Sequence, residues 1–236
     1  MSDIIKKSGG GAIEKKSAVL DKIRAAKPAK PLTGSKLAPR DERRPRLVFA
    51  VDATASRQPT WDSAKQITDK MFDAIPGALD VALAVHGGSA LHTFTDFSAD
   101  VARFRDKAAA VRCSAGETKL CDIMERTLDA GGVKVMAYIG DAFEESETDA
   151  LLLADRFKAR GIKLVVLADE PDRSTRAIFE ELARRTGGAC LDFRSAQLGT
   201  MGEVLDAVAA LAVGGRKLLE ARRTAGSLLL LGNLKD

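Results

Sequence analysis

From residue 46 to about 213 the chain alternates two kinds of apolar pattern. The first kind is a short continuous apolar run: LVFAVD (47–52), DVALAVH (80–86), KVMAYIGD (134–141), IKLVVLAD (162–169) and ACLDF (189–193). Such runs predict strands, with 47–52 and 134–141 reading as strands buried on both faces. Between them lie longer stretches with an apolar residue every three or four positions. In 60–75 these are Trp61, Ala64, Ile67, Met71 and Ile75, and the same period predicts helices over 98–111, 119–130, 147–160, 173–186 and 201–213. Pro76-Gly77, Gly131-Gly132 and Gly161 supply the expected helix stops. A further strand, ALHTFTDF (90–97), follows DVALAVH after only Gly87, Gly88 and Ser89, so that pair predicts a three-residue hairpin and an antiparallel partner. Strands alternating with helices otherwise require parallel pairing with helices on both faces. The predicted fold class is therefore α/β: a doubly wound, mostly parallel six-stranded sheet with one antiparallel edge strand.

The ends of the chain read differently. Residues 1–45 predict a basic, largely flexible arm. Within it 12–26 carries Ile13, Val19, Leu20 and Ile23 at helical spacing, and 27–45 is a linker with four prolines. The domain boundaries expected are 1–45 for the arm, 46–215 for the folded unit and 216–236 for a less regular C-terminal tail. In that tail Leu228–Leu231 and Leu234 either pack back on the domain or dock a partner.

Charge sharpens this division. Residues 1–46 hold thirteen Lys/Arg against five Asp/Glu, a net of +8, while the remainder is net −4. The arm is then either a solvated leader or a contact for nucleic acid or an acidic surface. Aromatic residues make up only 5% of the chain, which argues against a base-stacking module. Three cysteines, with no C-x-x-C pair, point away from a disulfide framework and toward a reducing compartment. No signal-peptide core and no run of roughly 20 apolar residues is visible, so the expectation is a cytoplasmic protein without membrane contact.

Hard oxygen side chains cluster where three of these segments end. Asp52-Ala53-Thr54-Ala55-Ser56 leaves the first strand, and its alternating polar positions can turn toward one point. Gly116-Glu117-Thr118 precedes a helix, and Gly140-Asp141 leaves the strand over 134–141. In open α/β sheets ligands bind at the carboxyl ends of strands, and carboxylates with hydroxyls suit Mg2+, Mn2+ or Ca2+. Each residue taken singly also fits a helix cap, and Thr118 stands where it would cap the helix at 119.

The order of these residues resembles the von Willebrand factor A (vWA) domain. Its metal-ion-dependent adhesion site reads D-x-S-x-S after the first strand, a Thr in a later loop and an Asp after the fourth strand. Here D-A-T-A-S, G-E-T and G-D follow in the same order, and the hairpin strand is also a feature of that family. Thr54 replaces the first Ser but keeps the hydroxyl, and Ala142 stands where many members have Gly. The resemblance covers 46 to about 213. It implies a metal site of Asp52, Thr54, Ser56, Thr118 and Asp141, with hydroxyls contacting the metal and one or both Asp acting through waters. It also implies a non-enzymatic interaction module whose protein partner completes the coordination with an Asp or Glu.

The alternative is a Mg-dependent phosphatase-like hydrolase, since that chemistry also begins with a strand-end Asp. Such a site needs D-x-D-x-[TV], and Thr54 occupies the second acidic position. A dinucleotide fold is excluded because DATAS, not G-x-G-x-x-G, follows the first strand. His86 and His92 flank the hairpin and read as structural. Glu144, Glu145 and Glu147 either strengthen the negative field near Asp141 or form a solvated helix start.

Overall fold

The computed structural model describes residues 44–55, 58–73, 77–193 and 197–235. Ser56 and most of the N-terminal arm thus lie outside the described residues.

Six strands form one sheet in the order β3-β2-β1-β4-β5-β6. They are β1 (Arg46–Asp52), β2 (Asp80–Gly87), β3 (Ala90–Phe94), β4 (Val133–Gly140), β5 (Lys163–Ala168) and β6 (Ala189–Asp192). All neighbours pair in parallel except β2 with β3. The expected doubly wound sheet with one antiparallel edge strand is present. Eight helices among the described residues cover it: α1 (Gln58–Lys65), α2 (Lys70–Asp73), α3 (Val101–Ala110), α4 (Leu120–Ala130), α5 (Glu147–Arg160), α6 (Arg173–Thr186), α7 (Leu198–Arg222) and α8 (Ala225–Asn233).

Alternation along β1 divides the core. Leu47, Phe49 and Val51 enter one apolar layer with Trp61 of α1, Phe104 of α3 and Val208 of α7. Val48 and Ala50 enter the other with Met124 of α4, Phe157 of α5 and Phe179 of α6. A strand that feeds both layers must be apolar at every position, hence the unbroken run over 47–51.

Four local expectations need correction. The helix expected over 60–75 is interrupted at residues 66–69, where Gln66 N donates to Ser63 O and Ile67 N to Ala64 O. These tighter three-residue bonds, with Thr68 Oγ1 donating to Lys65 O at 3.1 Å, bend the chain while Ile67 and Met71 still reach the core. The hairpin loop is two residues, not three. Gly87 pairs with Ala90, and Gly88 and Ser89 both have positive φ, 54° and 63°. That backbone matches the right-handed strand twist. Strand β3 stops at Phe94, where the Thr95 hydroxyl replaces a backbone carbonyl in accepting from Leu83 N at 2.9 Å. Thr95 N still donates to Leu83 O at 2.9 Å, and beyond it Val81 and Ser98 form an isolated bridge.

The fourth correction concerns the C-terminus. The helix expected over 201–213 runs from Leu198 to Arg222 with a kink at Gly215, and 225–233 forms α8 rather than an irregular tail. Thr224 caps α8 by accepting from Ser227 N at 3.1 Å. Leu230 is fully buried, whereas Leu228 and Leu229 face outward. Gly226 lets the two helices meet, since a Cβ there would lie 2.3 Å from the Glu203 carbonyl carbon. Its N–H donates to Glu203 Oε2 at 2.9 Å. A methyl group at 226 must therefore push α8 off α7. Gly226→Ala is expected to lower the unfolding free energy by about 1–3 kcal/mol. Gly199→Ala, with open space around it in α7, is expected to raise it by about 0.5–1 kcal/mol. Urea melts of the two variants check both signs.

Candidate metal centre

After β1 the chain moves outward to β2 and β3, and after the crossover back to β4 it moves the other way to β5 and β6. The loops leaving β1 and β4 therefore diverge, opening a crevice at the carboxyl ends of these two strands. Val51 pairs with Ile139, so Asp52 at the end of β1 lies beside Gly140 at the end of β4, about one strand spacing (~4.8 Å) away. Asp141 is the next residue.

Each loop is pinned from outside. Asp52 is buried, and its Oδ1 accepts from Thr54 N at 2.9 Å, turning the chain back immediately after the strand. Ala53 N donates to His86 O at 2.7 Å, and Ala53 O accepts from Ser114 N at 2.9 Å. Thr54 thereby pairs with Ser114 of the loop before α4. That loop is held to the hairpin, where Glu117 N donates to Ser89 Oγ at 3.0 Å. Thr118 is fully buried and makes a reciprocal pair with Glu144 in the loop after β4. Its N–H donates to Glu144 Oε2 at 3.1 Å, and its Oγ1 accepts from Glu144 N at 3.0 Å. A hydroxyl oxygen that accepts one hydrogen bond keeps a second lone pair.

Among the described residues, Asp52, Thr118 and Asp141 cap no helix. Helix α1 begins six residues after Asp52, and α5 is capped by Ser146 rather than by Asp141. Helix α4 has Lys119 at its N-cap with no side-chain bond of its own. Its first amides are taken by Glu145, whose two carboxylate oxygens accept from Leu120 N at 2.5 Å and Cys121 N at 3.0 Å. A carboxylate at a helix N-terminus satisfies unpaired donors and meets the positive end of the helix dipole. Burial nevertheless holds the Glu145 carboxyl above its ordinary range, against the pull of those bonds.

Glu144 and Glu145 are thus the residues that composition alone did not assign. They clamp the α4 entrance to the β4 exit. Asp169 belongs with them: it directly follows β5 as Asp141 follows β4, and the apolar run over 162–169 that ends in it is the signal in the sequence. Its Oδ2 accepts from Thr60 Oγ1 at 2.5 Å, tying α1 to the same end of the sheet.

His86 sits at the end of β2, fully buried, and acts as structure. Its Nδ1 accepts from Lys119 N at 3.2 Å, so the neutral ring carries its proton on Nε2 and donates to Tyr138 Oη at 3.1 Å. Burial pushes its pKa down to about 4, aided by the charges of His92 and Lys119. The 3.9 Å approach of Nδ1 to Asp52 Oδ1 is therefore not an ion pair near neutral pH. His92 lies exposed on β3.

The donor set can be tested against a divalent ion. Asp52, Thr54, Thr118 and Asp141 supply only hard oxygens, two carboxylates and two hydroxyls. Among the described residues no three His, Cys, Asp or Glu side chains converge as a metal cluster. That composition suits an ion that keeps several waters and takes few carboxylates, as Mg2+ does, better than a carboxylate cage. Thr54 and Asp141 are half-buried and Ala55 is exposed, so the crevice opens outward on that side.

The buried neutral histidine makes stability depend on pH. The unfolded chain protonates this ring near pH 6.5 and the folded one near 4, so the folded state resists the proton. Its contribution is complete above pH 6.5 and declines as pH falls from there toward 4. The loss amounts to about 3 kcal/mol over that window. In urea melts with EDTA, His86→Gln is expected to remove this share of the acid destabilisation. Equal slopes for the two proteins between pH 7 and 4.5 would contradict the assignment.

No family model matches the chain, and no curated protein matches it. Solved structures do. The SpRpn10 VWA domain superposes with a TM-score of 0.54 at 10% identity, over 67% of this chain and 95% of that one. A von Willebrand factor type A protein from Catenulispora acidiphila gives 0.58 at 14% identity, over 72% of this chain and 43% of that one. Proximal thread matrix protein 1 from the mussel byssus, in a form with a zinc-occupied MIDAS motif, gives 0.52 at 16% identity over 68% and 44%. This chain spans nearly all of the first and less than half of the other two. The fold, with its switch point between β1 and β4, is that of the von Willebrand factor A domain.

Proposed function

We propose that this domain binds a divalent cation, Mg2+ by preference, through Asp52, Thr54, Ser56, Thr118 and Asp141, and that it uses the ion to hold an Asp or Glu of a partner protein. One observation carries the reading. Three loops distant in sequence, bearing four of the five residues, are tied together by direct hydrogen bonds at the topological switch point. The zinc in the byssus protein's MIDAS motif is a precedent for a metal on this fold.

When bound, the cation would act as a Lewis acid that accepts a partner carboxylate. The chain's residues orient it. Asp52, held by Thr54 N, and Asp141 offer negative charge without neutralising the ion twice over. The Thr118 hydroxyl is aimed by Glu144. The hydrolase alternative has less support, because position 54 offers a hydroxyl where a second carboxylate is required. The basic segment before residue 44, outside the described residues, supports a second and salt-sensitive contact with an acidic surface or nucleic acid. The cysteines among the described residues are free thiols, which suits a reducing compartment such as the cytoplasm.

Metal binding without any partner is the first test. Mg2+ or Mn2+ at a hundredfold excess over its dissociation constant is expected to stabilise the fold by about 2.7 kcal/mol, read as a rise in melting temperature. Asp52→Ala and Thr118→Ala should abolish the rise, and Thr118→Ser should keep most of it. A full rise in Asp52→Ala would sink the site. Once a partner is captured, metal and partner must each tighten the other by the same factor, because linkage is reciprocal. Calorimetry giving one metal affinity with and without the partner would refute the carboxylate bridge.

A further inference from the structure

A second surface lies on the α4–α5 side of the sheet and makes no use of the metal residues. A groove of about 690 Å³ runs between these helices, with Cys121, Asp122 and Glu125 on one wall and Asp149, Leu152 and Arg156 on the other. Asp149, Leu152 and Arg156 follow the i, i+3, i+7 stripe of one helix face, and Asp122 and Glu125 stand one turn apart on the facing helix. Leu152 is 59% exposed, and the only other large apolar residues so placed among those described are Leu228 and Leu229 of α8. The walls are unevenly charged. Among the described residues Asp122, Glu125 and Asp149 form no ion pair, while Asp155 further along is engaged by Arg185 at 2.8 Å. Arg156 is the single cation in the lining. Asp122 and Asp149 lie in the first turns of their helices, where the dipole favours acids. That preference does not account for Glu125 in the second turn, nor for a leucine exposed between the acids.

We propose that this groove is a docking site for a basic amphipathic helix of a partner protein. The two walls are helices of 11 and 14 residues, about 16 and 21 Å long, which leave a trough for a third helix. An apolar side chain of that helix covers Leu152, and Lys or Arg residues on either side of it face Asp122, Glu125 and Asp149. Apolar contact supplies the anchor, and the unpaired carboxylates select the sign of the partner and raise its rate of encounter. An acidic helix is rejected at the same place by like charge. The surface begins just past Thr118 but includes none of the proposed metal residues, so the two surfaces can be tested apart.

The probe is a synthetic helical peptide of about 18 residues, roughly five turns, with Leu on one face and Lys elsewhere. Two controls replace its Leu by Ser, or its Lys by Glu. Binding to the full chain is measured by fluorescence anisotropy in EDTA, which removes any contribution from a cation. The Lys/Leu peptide is expected to bind, and more weakly as salt rises. Both controls should bind at least tenfold more weakly. Leu152→Ser, and Asp122→Asn, Glu125→Gln and Asp149→Asn combined, should each weaken the Lys/Leu peptide about tenfold. All four positions are exposed, so a thermal melt serves as the check that the variants remain folded. Equal binding of the Lys/Ser peptide would show a diffuse charge effect and overturn the proposal. Equal binding of the Glu/Leu peptide, undiminished binding to both variants, or no binding to the native chain would overturn it as well.

Discussion

Strand β1 is enclosed on every side. Strand β2 takes one of its edges and β4 the other, and a helical layer covers each face. No water reaches its backbone, so every N–H and C=O must pair within the sheet, and a polar side chain between Leu47 and Val51 would be buried without a partner. Asp52, where the strand leaves the sheet, is its first acidic side chain. This enclosure holds the two layers of the core together and concentrates polar chemistry at the carboxyl end. Because β4 lies next to β1 and the chain departs from them in opposite directions, the one end that accepts polar groups is also the one that opens into a crevice.

A crevice lined by loops holds a geometry only if the loops are held. Here each is tied to another rather than to solvent. Asp52 turns its own chain by accepting from Thr54 N, and Ser114 joins that turn to the loop before α4. Glu144 joins the same loop to the exit of β4, and Glu145 closes the start of α4 in place of a local cap. His86 completes the arrangement as a neutral bridge between Lys119 N and Tyr138 Oη. Side chains positioned by such second contacts lose little freedom on binding a ligand, as the proposed ion site would need.

Glu145 also links the two surfaces in one framework. It stabilises the first turn of α4, the helix that carries Asp122 and Glu125 into the groove beside α5. The strand ends and the α4–α5 groove thus depend on the same β4–α5 loop, although they present different chemistry: hard oxygens at one, a leucine among carboxylates at the other. A partner that engaged both would read two independent features of charge.

What the sequence determined by itself was whatever depends on near neighbours. The apolar runs ending in Asp52, Gly140-Asp141 and Asp169, the three- and four-residue spacing of the helices and the Gly-Gly-Ser break all follow from interactions within a few residues. From these the sheet, its antiparallel edge and the loops bearing Asp52, Thr54, Thr118 and Asp141 were legible. The tertiary structure decided everything that depends on strand order. Thr118 looked like a cap for α4, yet it bonds with Glu144, 26 residues away, while Glu145 does the capping from 25 residues away. The break at 66–69 keeps a helical apolar period because Ile67 and Met71 still meet the core after the bend. Leu228–Leu231 could not be read either way, since only the arrival of α7 beneath Gly226 and Leu230 makes half of that run interior. Periodicity records which side of an element is apolar. Which other element covers that side, and which loop stands close enough to donate a hydrogen bond, is set only when β4 comes to lie beside β1.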